Sequence, residues 1–153
     1  GKTVVLEWNN FGCPFVKKFY SVGAMQAQQA ATTKEGVVWV SINSSAEGKE
    51  GYFKDATEAK AAIKEHKLNS THYLLDADGT IGKAYGAKTT PHMFIIDKEG
   101  KLAYQGAIDD KSSADSADIA GAKNYVSEAL AALKAGTPIT TATTKPYGCF
   151  VKY

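Results

Sequence analysis

Two short runs dense in β-branched and aromatic residues, Val4-Val5-Leu6-Glu7-Trp8 and Val37-Val38-Trp39-Val40-Ser41-Ile42, stand on either side of a helix-like stretch. In that stretch Val16, Phe19, Tyr20, Gly23, Ala27 and Ala30 fall at i, i+3, i+4, i+7, i+11 and i+14, one apolar stripe of a single helix that stops near Gly36. Strand, helix, strand leaves the chain little choice. The two strands lie parallel in one sheet, with the helix crossing over a face of it.

Beyond the second strand, Asn43 to Tyr52 is rich in Ser, Gly and charge and reads as an exposed loop. Asp55 and Glu58 are spaced as an N-cap and its capping-box partner, opening a helix that runs to about Lys67. Tyr73-Leu74-Leu75 is a short strand closed by Asp76-Ala77-Asp78-Gly79. This acidic segment lacks the further oxygen ligands and distal glutamate of a calcium loop and reads as an ordinary turn. His92 to Ile96 and Lys101 to Gln105 flank Asp97-Lys98-Glu99-Gly100, an antiparallel hairpin. A last helix carries Ile119, Ala122, Val126, Ala129, Leu130 and Leu133, and Gly136 with Pro138 ends it. Thr137 to Pro146 is Thr-rich and has no periodicity. The order predicts an α/β fold, a mixed β-sheet with helices on both faces. The chain divides into a domain over 1–136 and an extended C-terminal tail over 137–153.

Charge narrows the functions open to such a fold. Eighteen basic residues against sixteen acidic leave a formal +2, so neither a nucleic-acid partner nor a polybasic membrane contact is expected. All eighteen are lysine. With no arginine, the chain cannot set a guanidinium fork on a phosphate, carboxylate or peroxide. No apolar run approaches the roughly 20 residues of a membrane span, so membrane insertion is not expected. His66, His72, His92 and the two cysteines are scattered without Cys-x-x-Cys or His-x-x-x-His spacing, and no metal site is expected. His92 reads as a surface or strand-edge residue, and Trp8 and Trp39 as core.

The chemistry starts at Gly12-Cys13-Pro14, where the first strand gives way to the first helix. Proline suits the first helical position, where its missing N–H would be unpaired anyway, so Cys13 falls at the N-cap. Free backbone N–H groups and the helix dipole there favour a thiolate over a thiol. Lys17, one turn on, adds a positive field. A cysteine that merely packs as a small hydrophobe is the alternative, but Gly12 and Pro14 mark a tight, exposed turn. A second element is Thr90-Pro91 at the entry to the His92 strand, where proline removes a ladder donor and where a cis peptide has its usual setting.

A strand, a cysteine-bearing helix start and a Tyr-Gly-x-x-x-x-Pro segment, here Tyr85-Gly86 to Pro91, resemble the thioredoxin superfamily. Within it, Gly12 to Lys18 and Tyr147 to Tyr153 resemble bacterial peroxiredoxin-like redoxin proteins of the AhpC/TSA group, and the likeness covers nearly the whole chain. The resemblance implies a thioredoxin-like fold and a cis Thr90-Pro91 bond facing Cys13. It also implies that Gly12, Pro14, Thr90 and Pro91 line the place where a thiol partner binds, and an exported location, periplasmic or secreted. The abrupt entry into a strand fits a leader removed upstream.

The departures matter as much. The fourth position of a Cys-x-x-Cys motif is Val16, so Cys13 has no local resolving thiol. Three residues before Cys13 stands Asn10 where ordinary peroxiredoxins have threonine, and their arginine is missing. Cys149 is the substitute second thiol, because twelve extended residues from Thr137 to Gly148 reach roughly 40 Å. Two outcomes follow: a permanent Cys13–Cys149 staple in a non-catalytic binding module, or a reversible bond in which Cys149 resolves an intermediate on Cys13. The second makes the chain a thiol-dependent oxidoreductase acting on a thiol or disulfide protein partner or on a peroxide, with no bound cofactor.

Overall fold

A computed structural model describes all of residues 1–153. Five strands form the main sheet: β1 (Val4–Trp8), β2 (Val38–Asn43), β3 (His72–Leu75), β5 (His92–Ile96) and β6 (Leu102–Gly106), in the order β3-β2-β1-β5-β6. β1 is central, parallel to β2 through Val5↔Trp39 and antiparallel to β5 through Val5↔Ile95. β3 continues the parallel half and β6 the antiparallel hairpin. The helices are α1 (Pro14–Tyr20), α2 (Ala24–Lys34), α3 (Ala56–Glu65), α4 (Thr80–Tyr85) and α5 (Tyr125–Ala135). A second, two-stranded sheet pairs β4 (Thr89–Thr90) with β7 (Cys149–Phe150).

Alternation along the strands divides the core into two layers. Val5, Trp39, Met93, Ile95 and Tyr104 meet Phe19, Tyr20 and Met25 from α1 and α2, and Val126 and Ala129 from α5. Leu6, Trp8, Val40, Ile42 and Phe94 pack on the other face with Ala87, and with Ile81 from α4. Trp8 and Trp39 are both core, as their sequence setting indicates.

Three local expectations change. The first helix is two helices, because Gly23 adopts φ +76° as the N-cap of α2, a conformation that costs glycine little. The break resets the helical phase, so Ala27 and Ala30 are exposed while Met25, Gln29 and Thr32 are buried. The Asn43–Tyr52 stretch starts inside the fold: Ser44 Oγ accepts from Trp8 Nε1 at 3.0 Å and donates to Asp76 at 2.6 Å. Asp76 to Gly79 is the expected turn, closed by Gly79 N on Asp76 O at 2.9 Å, and the buried Asp76 carboxylate also takes the Ile81 and Gly82 N–H groups at 2.9 Å and so seats α4. Finally, Asn124 caps α5 by accepting from Ser127 N at 2.9 Å, which leaves Ile119 and Ala122 in the segment before the helix.

The C-terminal segment lacks periodicity yet is tied to the body at several points. Gln105 N donates to Ala142 O and Thr144 N to Gln105 O, both at 3.0 Å, so this stretch covers the β6 edge. The chain then returns across the molecule to form β7.

Candidate active site

The turn that carries Cys13 is held from both sides. Asn10 Oδ1 accepts from Gly12 N at 2.9 Å, Cys13 N donates to Asn10 O at 3.0 Å, and Asn10 Nδ2 donates to Glu50 O at 3.1 Å. Cys13 is the N-cap of α1 with extended backbone angles, Pro14 follows at the first helical position, and the Cys13 carbonyl accepts from Lys17 N at 2.9 Å. A Cβ on Gly12 would meet the Glu50 side chain at 2.9 Å.

Cys13 and Cys149 form a disulfide, with Cα atoms 6.1 Å apart across 136 residues of sequence. The Thr90–Pro91 peptide is cis. Thr90 pairs with Cys149 and Thr89 with Phe150 in an antiparallel register, and Cys13 Sγ lies 3.1 Å from Thr90 O. Gly148 has φ +143°, and a Cβ there would collide with Thr90 O, so only glycine permits the tail to approach this closely. The structure thus brings Cys13, Cys149, Gly12, Pro14, Thr90 and Pro91 into one place. The two cysteines differ in burial: Cys13 is 0% exposed, whereas Cys149 is partly exposed beside Phe150, which is 78% exposed. Thr90 Oγ1 is buried with no hydrogen-bond partner.

Contacts on both sides of Cys149 fix the tail. Tyr147 OH donates to Asp109 Oδ1 at 2.5 Å and accepts from Lys18 Nζ at 3.0 Å. On the other side Val151 N donates to Lys88 O at 3.1 Å, Ala46 N to Lys152 O at 2.8 Å, and Tyr153 OH to Ala87 O at 2.8 Å.

Several residues here escape a reading of the sequence. Glu7 is wholly buried, and its carboxylate collects Tyr20 OH at 2.6 Å, Trp39 Nε1 at 2.8 Å, Gln29 Nε2 at 3.0 Å, Ser41 Oγ at 3.1 Å and Asn9 Nδ2 at 3.2 Å. Burial and the Glu7 charge push the Tyr20 hydroxyl well above its usual range. Tyr20 packs edge-on against Phe11, two residues before Cys13. The signal was an acid inside an apolar strand. Lys17 is exposed, and the lysine that α1 buries is Lys18. His92 is not at the surface either: it is 4% exposed, accepts from Lys88 N at 3.1 Å, and desolvation, then the Lys88 charge, pushes its pKa down to about 4.

The family model for redoxin matches residues 1–124. The chain belongs to the redoxin family. Among solved structures, this redoxin is similar to a hypothetical protein from Sinorhizobium meliloti 1021, at 26% identity and TM-score 0.78 over 99% of this chain and 79% of that one. It is similar to an uncharacterized conserved protein from Geobacillus kaustophilus, at 27% identity and TM-score 0.77 over 99% and 77% of the two chains. A thiol:disulfide interchange protein from Bacteroides sp. shares the fold, at 20% identity and TM-score 0.53 over 76% and 68%. No curated protein matches the redoxin in sequence. The fold is thioredoxin-like, and no helix is long and apolar enough to cross a membrane.

Proposed function

We propose that this redoxin is a thiol–disulfide oxidoreductase whose working couple is Cys13 and Cys149. The observation that carries the reading is the bond between an N-cap cysteine and a tail cysteine, made against the cis-proline loop. In the reduced protein the Cys13 thiolate, favoured by the N-terminal N–H groups of α1, attacks one sulfur of a partner disulfide. A Cys13–partner disulfide forms and the partner's other sulfur leaves as a thiolate. Cys149 then attacks Cys13 Sγ, the partner's second thiolate departs, and the internal disulfide is closed. The partner has gained two electrons and the couple has lost two. Gly12 and Pro14 shape the turn beneath Cys13, and Thr90-Pro91 offers the backbone edge against which an extended partner segment lies.

For renewal, a reductant thiolate attacks Cys149, the more exposed residue of the pair, and Cys13 leaves as the stabilised thiolate; a second reductant thiol then attacks the reductant sulfur of that mixed disulfide, releasing Cys149 as a thiol and the reductant as its disulfide. Disulfide exchange is favoured over peroxide reduction because Asn10, three residues before Cys13, is engaged at both ends of its amide, and the chain has no arginine. An exported setting, periplasmic or secreted, goes with this reading as part of the family resemblance, and a Cys13–Cys149 bond that persists at rest fits an oxidising compartment. The tail, residues 137–153, acts as the arm that delivers Cys149 to the 1–136 domain.

Equilibration in glutathione buffers tests the reading. The couple should exchange at potentials above about −300 mV, the value below which structural disulfides lie. A bond that stays closed throughout that range returns Cys13–Cys149 to a staple. In stopped flow, the reduced protein should consume hydrogen peroxide no faster than a free thiol.

A further inference from the structure

Of the eighteen lysines only Lys18 is buried, on the helix that Cys13 caps. Its ammonium donates to Lys111 O at 2.7 Å and to Tyr147 OH at 3.0 Å, and lies 3.7 Å from Asp109 Oδ2. Asp109 is 2% exposed and accepts from Tyr147 OH and from Lys111 N. The Tyr147 ring covers the charge, with Lys18 Nζ 5.2 Å from its centroid, and meets Phe15 edge-on at 5.9 Å. Removing two charges from water is costly unless their remaining donors and acceptors are met. Here a single phenol meets one of each, accepting from the cation and donating to the anion.

Two of these three residues belong to the body of the protein and the third to the tail. Lys18 lies in α1 and Asp109 just beyond β6, whereas Tyr147 is joined to Cys149 through Gly148 alone. We infer that Lys18 and Asp109 form a socket for Tyr147 that holds Cys149 against Cys13, so that docking of this one phenol sets the reduction potential of the couple. The inference rests on the oxidoreductase reading and makes Lys18, Asp109 and Tyr147 positioning residues. Reduction takes two electrons and two protons from two glutathione thiols, leaving glutathione disulfide and a tail whose attachment to Cys13 is gone. The socket contacts are formed with the disulfide and lost as the reduced tail departs. They therefore favour the oxidised form alone.

Tyr147→Phe removes the hydroxyl and keeps the ring. Hydrogen bonds to charged groups are worth enough to expect a shift of about tenfold toward the reduced form, about 30 mV higher in potential for a two-electron couple. Resolution of a Cys13–glutathione mixed disulfide by Cys149 should slow in step. In the Lys18→Met background the same substitution should shift the equilibrium less, the coupling expected of groups in contact. If Lys18→Met fails to fold, the Tyr147→Phe shift decides alone. A potential unchanged within twofold in equilibrium constant, with the melting temperatures of both redox forms falling together, overturns the inference and leaves Tyr147 a structural residue. Dithiothreitol buffers reach lower potentials. A disulfide that opens only there removes the oxidoreductase reading while the Tyr147→Phe shift remains measurable.

Discussion

His92 shows how one buried side chain ties stability to pH. Its ring lies against Phe94 with centroids 4.4 Å apart, and Nδ1 accepts from Lys88 N, so the folded protein holds a neutral imidazole. Desolvation, aided by the Lys88 charge, pushes its pKa down to about 4, while the unfolded chain binds the proton near 6.5. Between those values the unfolded state carries more protons than the folded one, so stability rises with pH. The full contribution is present above about pH 6.5 and is lost as pH falls toward 4, by roughly 3 kcal/mol at most. Urea titrations at pH 7, 5.5 and 4 should record that fall, and His92→Gln should flatten it over this interval. A wild-type curve that is level from pH 7 to 4 would show that the ring takes up its proton without cost. Thr90 poses the opposite case at the same strand entry: its buried hydroxyl has no partner, so it adds nothing that a methyl group would not.

At the scale of elements, local chemistry predicts well wherever the deciding residues are neighbours in sequence. The α3 start is such a place. Asp55 Oδ1 accepts from Thr57 N at 2.9 Å and Glu58 N at 3.0 Å, and Glu58 Oε2 returns to Lys54 N at 3.0 Å, one residue earlier than the usual capping-box partner. Asp55→Ala should lower stability by about 1 kcal/mol, and Asp55→Ser should restore most of it. Chemical denaturation of both variants checks the pair; equal loss in each would mean that the α3 end contributes nothing to global stability. The β5–β6 hairpin and the Cys13 N-cap were legible for the same reason. Gly23 was not, because a glycine on a helical stripe looks the same whether it continues the helix or breaks it. α4 was missed because it has only six residues and depends on Asp76, whose partner Ser44 comes from the end of β2. Glu7, Lys18 and Asp109 failed to declare themselves because their partners lie on other elements, and a sequence shows charge without showing what surrounds it.

For the whole molecule, the C-terminal segment does two things that neither sheet could do alone. It covers the β6 edge through Ala142 to Thr144, removing one row of open strand groups, and then joins β4 to carry Cys149 to Cys13. A disulfide between positions 136 residues apart closes nearly the entire chain into one loop. In the chain-entropy account such a loop disfavours the unfolded state by about 5 kcal/mol. For a domain of about 150 residues each kcal/mol moves the melting temperature by roughly 2–4 °C, so reduction should lower it by roughly 10–20 °C. Calorimetry with and without dithiothreitol measures this directly, and the Cys13→Ser, Cys149→Ser double variant should melt with the reduced form. A drop well beyond that range would mean that the folded protein holds the two thiols together more tightly than loop entropy alone counts. A drop near zero would mean that the folded reduced protein holds Cys149 no nearer to Cys13 than the unfolded chain does, and the Lys18–Asp109 socket would then have no hold on the couple.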